Sequence, residues 1–239
     1  MPKRTLSPKS AAISGKTYVI IPLYNKGGAI RAVLKDLAKD FDHIICINDG
    51  STDDSAEQAN QRKIIVIEHA FNLGQGAALQ TGIDFALQDP EAQYFITFDA
   101  DGQHDKKDAL KMLAYIQAHP VDIVLGSRFL GTAKNSSTFK RLFLKVAITF
   151  TNKTTGLKLT DTHNGLRVFN RKVAEQLKLT MPDFAHASEI VQRIADMKFI
   201  YKELPVTIHY TDYSKAHGQS VFNSVNIVFD VLLNKVSGK

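Results

Sequence analysis

Short apolar runs that alternate with helix-patterned stretches constrain this chain more than any other feature. Residues 17–21, 43–47, 63–67, 94–98 and 122–125 are rich in Ile, Val and Phe. They are too short for helices and read as buried strands. Between them, residues 29–39, 53–60, 76–87 and 106–118 carry helical spacing. Repeated strand–helix units predict a single α/β domain with a mostly parallel sheet flanked by helices on both faces. Beyond Thr132 the alternation weakens. A basic, apolar helix is expected near 139–151, a strand near 166–169, helices from Arg171 and His186, and a strand near 202–209. Residues 1–16 have basic residues but no long apolar region, and are expected to be a flexible lead-in and not a secretory signal. The domain proper is expected over 17–218 and an amphipathic helix over 219–239.

Sheets of this kind bind ligands beyond the carboxyl ends of their strands, and those positions are chemically loaded. Pro22-Leu23-Tyr24-Asn25 follows the first run, and Asn48-Asp49-Gly50-Ser51-Thr52-Asp53-Asp54 the second. Phe71-Asn72-Leu73-Gly74-Gln75-Gly76 follows the third, Asp99-Ala100-Asp101-Gly102-Gln103-His104 the fourth, and Gly126-Ser127-Arg128 the fifth.

The sharpest of these is Asp99-Ala100-Asp101, two carboxylates one small residue apart at a strand end. Hard cations such as Mg²⁺ and Mn²⁺ take one or two carboxylates together with substrate phosphates. Gln103 and His104 are placed to add a ligand or contact a phosphate. Asp49 can accept hydrogen bonds from a base or ribose, while Ser51 or Thr52 caps the next helix with Asp53 and Asp54 at its positive end. In the Asn72–Gly76 segment, glycines let backbone approach a ligand at a helix N-terminus. A plain loop-to-helix turn reads equally well, and the spacing fails as a dinucleotide fingerprint.

Charge and composition bound the partners. The 30 basic and 24 acidic residues leave a net charge of +6, suited to nucleic acid, anionic lipid or phosphorylated substrates. No nucleic-acid-binding motif is present, so nucleic acid is not an expected partner. No apolar stretch approaches the ~20 residues that span a bilayer. The single cysteine, Cys46, lies in an apolar run. It excludes an internal disulfide, fits a reducing compartment and is expected to pack in the core. Two segments have apolar stripes at helical spacing: Phe139, Leu142, Phe143, Val146, Ala147 and Phe150 among lysines and arginines, and Val221, Phe222, Val225, Val228, Phe229, Leu232, Leu233 and Val236. Each reads either as a core-facing helix or as a surface that meets an anionic membrane or a small integral membrane partner. The expected location is cytoplasmic, peripheral at the cytoplasmic face of a membrane.

The strand ends together resemble the family 2 glycosyltransferases of the GT-A fold. V-I-I-P-L-Y-N, N-D-G-S-T-D-D, N-L-G-Q-G-A-A-L-Q-T-G-I and D-A-D-G-Q-H carry the likeness, which runs from about Thr17 to Tyr213. D-A-D-G-Q-H, G-S-R-F and D-T-H-N-G-L-R are similar to the dolichol-phosphate mannose synthase branch, which includes bacterial polyprenyl-phosphate glycosyltransferases. Two departures are Asn48, where the family more often has aspartate, and Lys145, where the branch often has a small hydroxyl residue. The resemblance implies a GT-A (Rossmann-like) domain and inverting, metal-dependent transfer of a hexose from a nucleotide-sugar donor. By it, Pro22, Tyr24, Asn25, Asp49 and Gly50, with Asn72 and Gly76, form the nucleotide side. Asp99, Ala100, Asp101 and Gln103 hold Mg²⁺ or Mn²⁺ and the donor phosphates, and Arg128 and Arg141 face the acceptor. A polyprenyl phosphate acceptor is already an anion and needs no base. A glycan hydroxyl needs one, and Glu189, with Asp161 behind it, is the candidate, although pairing with Arg193 on a helix explains Glu189 equally well. A non-catalytic sugar-nucleotide-binding module is the remaining alternative.

Overall fold

Among the described residues, each predicted run becomes a strand and each helical stretch a helix. The computed structural model describes residues 15–134, 138–181 and 185–209, with the backbone alone described at 132–134 and 138–144. The first half runs β1 (Lys16–Leu23), α1 (Gly27–Leu37), β2 (His43–Asn48), α2 (Ser55–Ala59), β3 (Ile64–Glu68), α3 (Gln75–Leu87), β4 (Ala92–Thr97) and α4 (Lys106–Ala118). The second half adds β5 (Ile123–Lys134), α5 (Thr138–Thr155), β6 (Arg167–Asn170), α6 (Arg171–Gln176), α7 (Ala185–Asp196) and β7 (Tyr201–His209). The helix expected over 219–239 and the lead-in before Gly15 lie outside the described residues.

The strands form one sheet in the order β3-β2-β1-β4-β6-β5-β7. Neighbours pair in parallel except at β6, which opposes both β4 and β5. From β1 the order proceeds outward in both directions, through β2 to β3 and through β4 to the second half. The carboxyl ends of β1 and β4 therefore flank the topological switch, where open α/β sheets hold ligands.

Alternation within β1 explains the layers. Val19, Ile21 and Leu23 face Ile30 and Leu34 of α1 and Met112 and Leu113 of α4. Tyr18 and Ile20 face the other way, onto Leu79 and Ile83 of α3 and Phe95 and Phe169. Both clusters are nearly fully buried, as a sheet covered on two faces requires. A Cβ at Gly82 would come within 2.7 Å of Ile47 Cδ1, so this glycine sets how closely α3 approaches the sheet. Cys46 is buried in the cluster with Val19 and Ile21, and burial pushes its thiol up to about 12, the mark of a packing residue and not a nucleophile.

Most boundaries shift by one to four residues from the sequence reading, and two of the shifts bear on the site. β5 does not stop at Leu125: it continues through Gly126, Ser127 and Arg128 because β7 extends the ladder beside it, past a register shift between Ser127 and Thr132. Gly131 permits that shift, since a Cβ there would fall on the backbone of Val206. β1 likewise runs two residues further, to Leu23, with Pro22 opposite Ile47.

Candidate active site

The loops after β1 and β2 are stitched into one unit. Asn25 sits at φ 50°, and its Oδ1 accepts from Thr52 N at 2.9 Å. Asn25 N donates to Ser51 Oγ at 3.1 Å and Lys26 N to Ser55 Oγ at 2.7 Å. Asp53 accepts from Gly27 N at 3.1 Å and Ser55 N at 2.9 Å, so one carboxylate serves the starts of both α1 and α2. Ser51 and Thr52 do not cap α2: its N-cap position is Asp54, which makes no side-chain capping bond, and Asp53 just before it accepts from the first helical N–H, Ser55 N. Tyr24 stands half exposed at this rim.

Asp49 is turned inward. Its Oδ1 accepts from Leu73 N at 2.9 Å and meets His69 Nδ1 at 2.7 Å, and its Oδ2 accepts from Gly74 N at 2.9 Å. His69 Nε2 meets Thr81 Oγ1 at 3.0 Å on α3. Asp49, at 2 % exposure, is thereby the anchor of the loop between β3 and α3, a task its expected contact with base or ribose did not include. Gly50, at φ +67°, lies under that loop, and a Cβ there would come within 2.7 Å of Asn72 N. The anchored loop leaves Phe71, Asn72 and Leu73 exposed. Gly76, expected to admit a ligand, has its missing side chain filled by protein: a Cβ would meet Met181 O at 2.7 Å and His186 Cβ at 3.0 Å.

At the end of β4, Asp99 and Asp101 flank the buried Ala100. Asp99 Oδ2 meets His104 Nε2 at 2.8 Å, and its Oδ1 has a long contact of 3.4 Å from Gln75 Nε2. A Cβ at Gly165 would fall on the Asp99 carboxylate, so the N-G-L-R segment packs directly against it. Burial favours protonation of Asp99, but His104, then Arg167 and His186, outweigh it and hold the carboxyl below its ordinary range. Burial and the charge of Asp99 push Asp101 above its own range. Asp101 Oδ1 accepts from Gln103 N at 3.0 Å. His104, expected as a ligand or phosphate contact, faces Asp99 instead. Among the described residues no three His, Cys, Asp or Glu side chains cluster into a closed metal cage.

The second half brings Arg128 to the same edge. Its Nε donates to Asp161 Oδ2 at 2.6 Å and its backbone N to the same oxygen at 3.0 Å, with Asp161 almost wholly buried. Glu203 of β7 holds the chain that carries Asp161, accepting from Thr160 N at 2.8 Å and Asp161 N at 3.0 Å. Between the two carboxylate sites lies Arg167, whose register neighbours are Thr97 of β4 and Leu125 of β5. Burial lowers Arg167 to about 10, against support from Asp99 and Asp161, so it stays charged at neutral pH. Burial likewise pushes His163 down to about 4, with Arg128 and Arg167 adding to the effect.

Glu189 is buried in α7. It accepts from Thr180 N at 2.9 Å, Thr180 Oγ1 at 2.9 Å and Met181 N at 2.9 Å, and pairs with Arg193 at 3.7 Å. It is held as an anchor for the 180–181 loop, the arrangement the i, i+4 spacing allowed. Arg141 lies on α5, and its side chain is outside the described residues. Arg167 and Gly165 entered the sequence reading only as part of D-T-H-N-G-L-R, with no role of their own, and His69 did not enter it. A charged residue inside the apolar run 166–169 was the available signal for the first of them.

Comparison with known proteins gives this geometry a context. The family model described as "Glycosyl transferase family 2" matches residues 18–178. An uncharacterized protein of Methanocaldococcus jannaschii is 32% identical over 92% of this chain and 92% of its own. The UDP-N-acetylglucosamine–dolichyl-phosphate N-acetylglucosaminyltransferase of Methanococcus voltae is 31% identical over 92% of this chain and 96% of its own. The polyprenol monophosphomannose synthase of Mycolicibacterium smegmatis is 26% identical, covering 84% and 80%. Among solved structures, glucosyl-3-phosphoglycerate synthase from Mycobacterium tuberculosis, in complex with Mn²⁺, uridine diphosphate and glucosyl-3-phosphoglycerate, superposes with TM-score 0.70 at 12% identity over 98% of this chain and 86% of that one.

Proposed function

We propose, from the premise that this chain belongs to glycosyl transferase family 2 and is a glycosyltransferase of GT-A fold, that it transfers a hexose from a nucleotide-sugar donor to a polyprenyl phosphate of the dolichyl type. The observation that carries this reading is the meeting, around Arg167, of two chemistries: the Asp99–Asp101 pair on the β4 side and the Arg128–Asp161 pair on the β5 side. The names of the relatives that use dolichyl phosphate and polyprenol support the acceptor class.

The residues fit a divalent cation. Asp99 and Asp101 offer hard oxygen donors, the raised carboxyl of Asp101 marks a site where an added cation relieves like-charge repulsion, and Gly165 keeps side chains off Asp99. Two carboxylates completed by substrate phosphates are typical of Mg²⁺ and Mn²⁺. Asp99, Asp101 and Gln103 would hold it, and a bound Mg²⁺ or Mn²⁺ supplies Lewis-acid charge for the departing nucleoside diphosphate.

The chain's own residues do the rest. The stitched loops at Asn25 and Ser51 and the loop anchored by Asp49 form a preorganised floor for the nucleotide, rimmed by Tyr24, Phe71 and Leu73. Arg128, fixed through Asp161, orients the acceptor phosphate, with Arg141 of α5 as its partner in that role. The phosphate oxygen attacks the anomeric carbon opposite the leaving group and inverts it. No base is needed, in keeping with a Glu189 already committed to Thr180, Met181 and Arg193. Among the described residues no helix is long and apolar enough to cross a membrane. In this reading the protein meets its lipid acceptor peripherally at a cytoplasmic membrane face, through α5, the 219–239 segment or a small membrane partner, as the lipid-linked acceptors in its relatives' names suggest.

The test is transfer from a panel of nucleotide sugars, with Mg²⁺ or Mn²⁺, to dolichyl or undecaprenyl phosphate beside a glycan acceptor. Product on the lipid phosphate supports the reading. Product on a glycan hydroxyl alone rejects it in favour of the base-dependent alternative, and binding of donor without turnover on either acceptor rejects catalysis.

A further inference from the structure

The ring of His104 sits where a core histidine would, yet it is not satisfied as one. Its side chain is 3% exposed. Nε2 stands 2.8 Å from Asp99 Oδ2, and because an ionised carboxylate only accepts, Nε2 carries the proton. Nδ1 is buried and has no hydrogen-bond partner. Buried polar atoms are nearly always paired, and one left unpaired costs stability. A histidine selected for packing alone would be cheaper as phenylalanine. This one keeps a donor on Asp99 and leaves its other nitrogen without a partner.

The ring is also held still. It packs edge-on against Phe98 at 5.4 Å and 71°. Its backbone bridges to Ile208 of β7, and the preceding Gln103 O accepts from His209 N at 2.9 Å. Asp99 is therefore fixed by the His104 donor on Oδ2 and by the backbone of Gly165 against the carboxylate, while Oδ1 has only the long 3.4 Å contact from Gln75 Nε2.

We propose that His104 is a positioning residue that holds Asp99 by one oxygen and leaves the other to the divalent cation and donor. This rests on the reading of Asp99 and Asp101 as the cation's ligands. Such outer partners typically change metal affinity 10- to 100-fold when removed.

The test uses the full chain and Mn²⁺ binding, followed by the loss of the free-ion paramagnetic resonance signal, with and without uridine diphosphate. His104→Phe keeps the shape and loses the donor. His104→Gln keeps an amide N–H at the reach of Nε2. The expected result is Mn²⁺ affinity about 10- to 100-fold weaker in His104→Phe and largely recovered in His104→Gln, with cooperative unfolding in both. Should His104→Phe not fold, His104→Asn, whose shorter amide falls short of Asp99, takes its place against His104→Gln. Equal Mn²⁺ affinity in wild type, the donor-lacking variant and His104→Gln overturns the proposal while leaving the cation site standing. Equal weakening in His104→Gln and the donor-lacking variant overturns it too, by assigning the ring to packing. Wild-type protein that takes up no Mn²⁺ under either condition overturns the cation reading itself, and the proposal with it.

Discussion

Replacing Asp49 with alanine removes the acceptor for three donors at once: Leu73 N, Gly74 N and His69 Nδ1. A hydrogen bond to a charged group contributes about 1.5–3 kcal/mol. The three do not sum fully, because Leu73 is exposed and water can reach part of the freed loop. A loss of about 3–5 kcal/mol, the scale for breaking a buried charged pair, is the expected stability change. For a chain of this size that lowers Tm by about 6–20 °C. The loop carrying Phe71 and Leu73 then lifts from Gly50, so the donor KM rises while kcat changes little. His69→Ala removes one of the three contacts together with the bond to Thr81 Oγ1 and a buried ring, and should destabilise in the same direction. The assay is urea or thermal unfolding beside donor-saturation kinetics at fixed acceptor. An Asp49→Ala protein that melts like wild type, with kcat reduced at unchanged KM, would refute the anchoring argument and move Asp49 to the reacting centre.

Asp101→Ala is expected to abolish transfer and metal-dependent donor binding with Tm within a few degrees of wild type, read by calorimetry and turnover. Near-normal activity that still requires metal rejects the assignment. Arg128→Ala leaves the buried Asp161 without the guanidinium, keeping only the backbone N–H groups of residue 128 and His163, and should cost up to about 3–5 kcal/mol as well as acceptor affinity. Adding Asp161→Asn to it should restore much of the stability and none of the transfer, and Arg128→Lys should rescue transfer only partly. His163 titrates near pH 4 when folded and near 6.5 when unfolded, so below pH 6.5 the unfolded chain binds a proton that the folded chain refuses. Its contribution is full above about 6.5 and is lost as pH falls toward 4, by up to about 3 kcal/mol. The stability of His163→Gln should therefore fall less than that of wild type over this window in urea titrations.

The fold was legible because the central strands β1 and β2 are buried on both faces and so read as unbroken apolar runs, as at residues 43–47, and the edge strand β3 keeps the same apolar character although Ile65 is exposed. β5 was cut short at Leu125 because its extension depends on pairing with β7, which follows some 70 residues later and leaves no local mark. The candidate site was legible in outline for a related reason: open sheets place ligands at strand ends, and Asp99 and Asp101 follow the end of β4, whereas Arg128 lies inside the longer β5. Direction was not legible. Nothing in N-D-G-S says that Asp49 points inward to Leu73 and Gly74, more than twenty residues on, and helical periodicity alone does not show that Glu189 closes on Thr180 and Met181 of the nearby preceding loop. Gly165 illustrates the same limit, because its role exists only once β6 lies antiparallel to β4 and sets it against Asp99.

The most direct measurement of the account is the chemical identity of the product formed from dolichyl or undecaprenyl phosphate and an α-linked nucleotide hexose in the presence of Mn²⁺ or Mg²⁺. Phosphorus NMR follows the acceptor, and proton coupling at the anomeric carbon gives the stereochemistry. The account predicts that the phosphomonoester signal is replaced by a phosphodiester bearing an inverted, β-configured sugar, and that Asp101→Ala forms none. A phosphomonoester that persists while the donor is consumed, or a product with retained configuration, would contradict it.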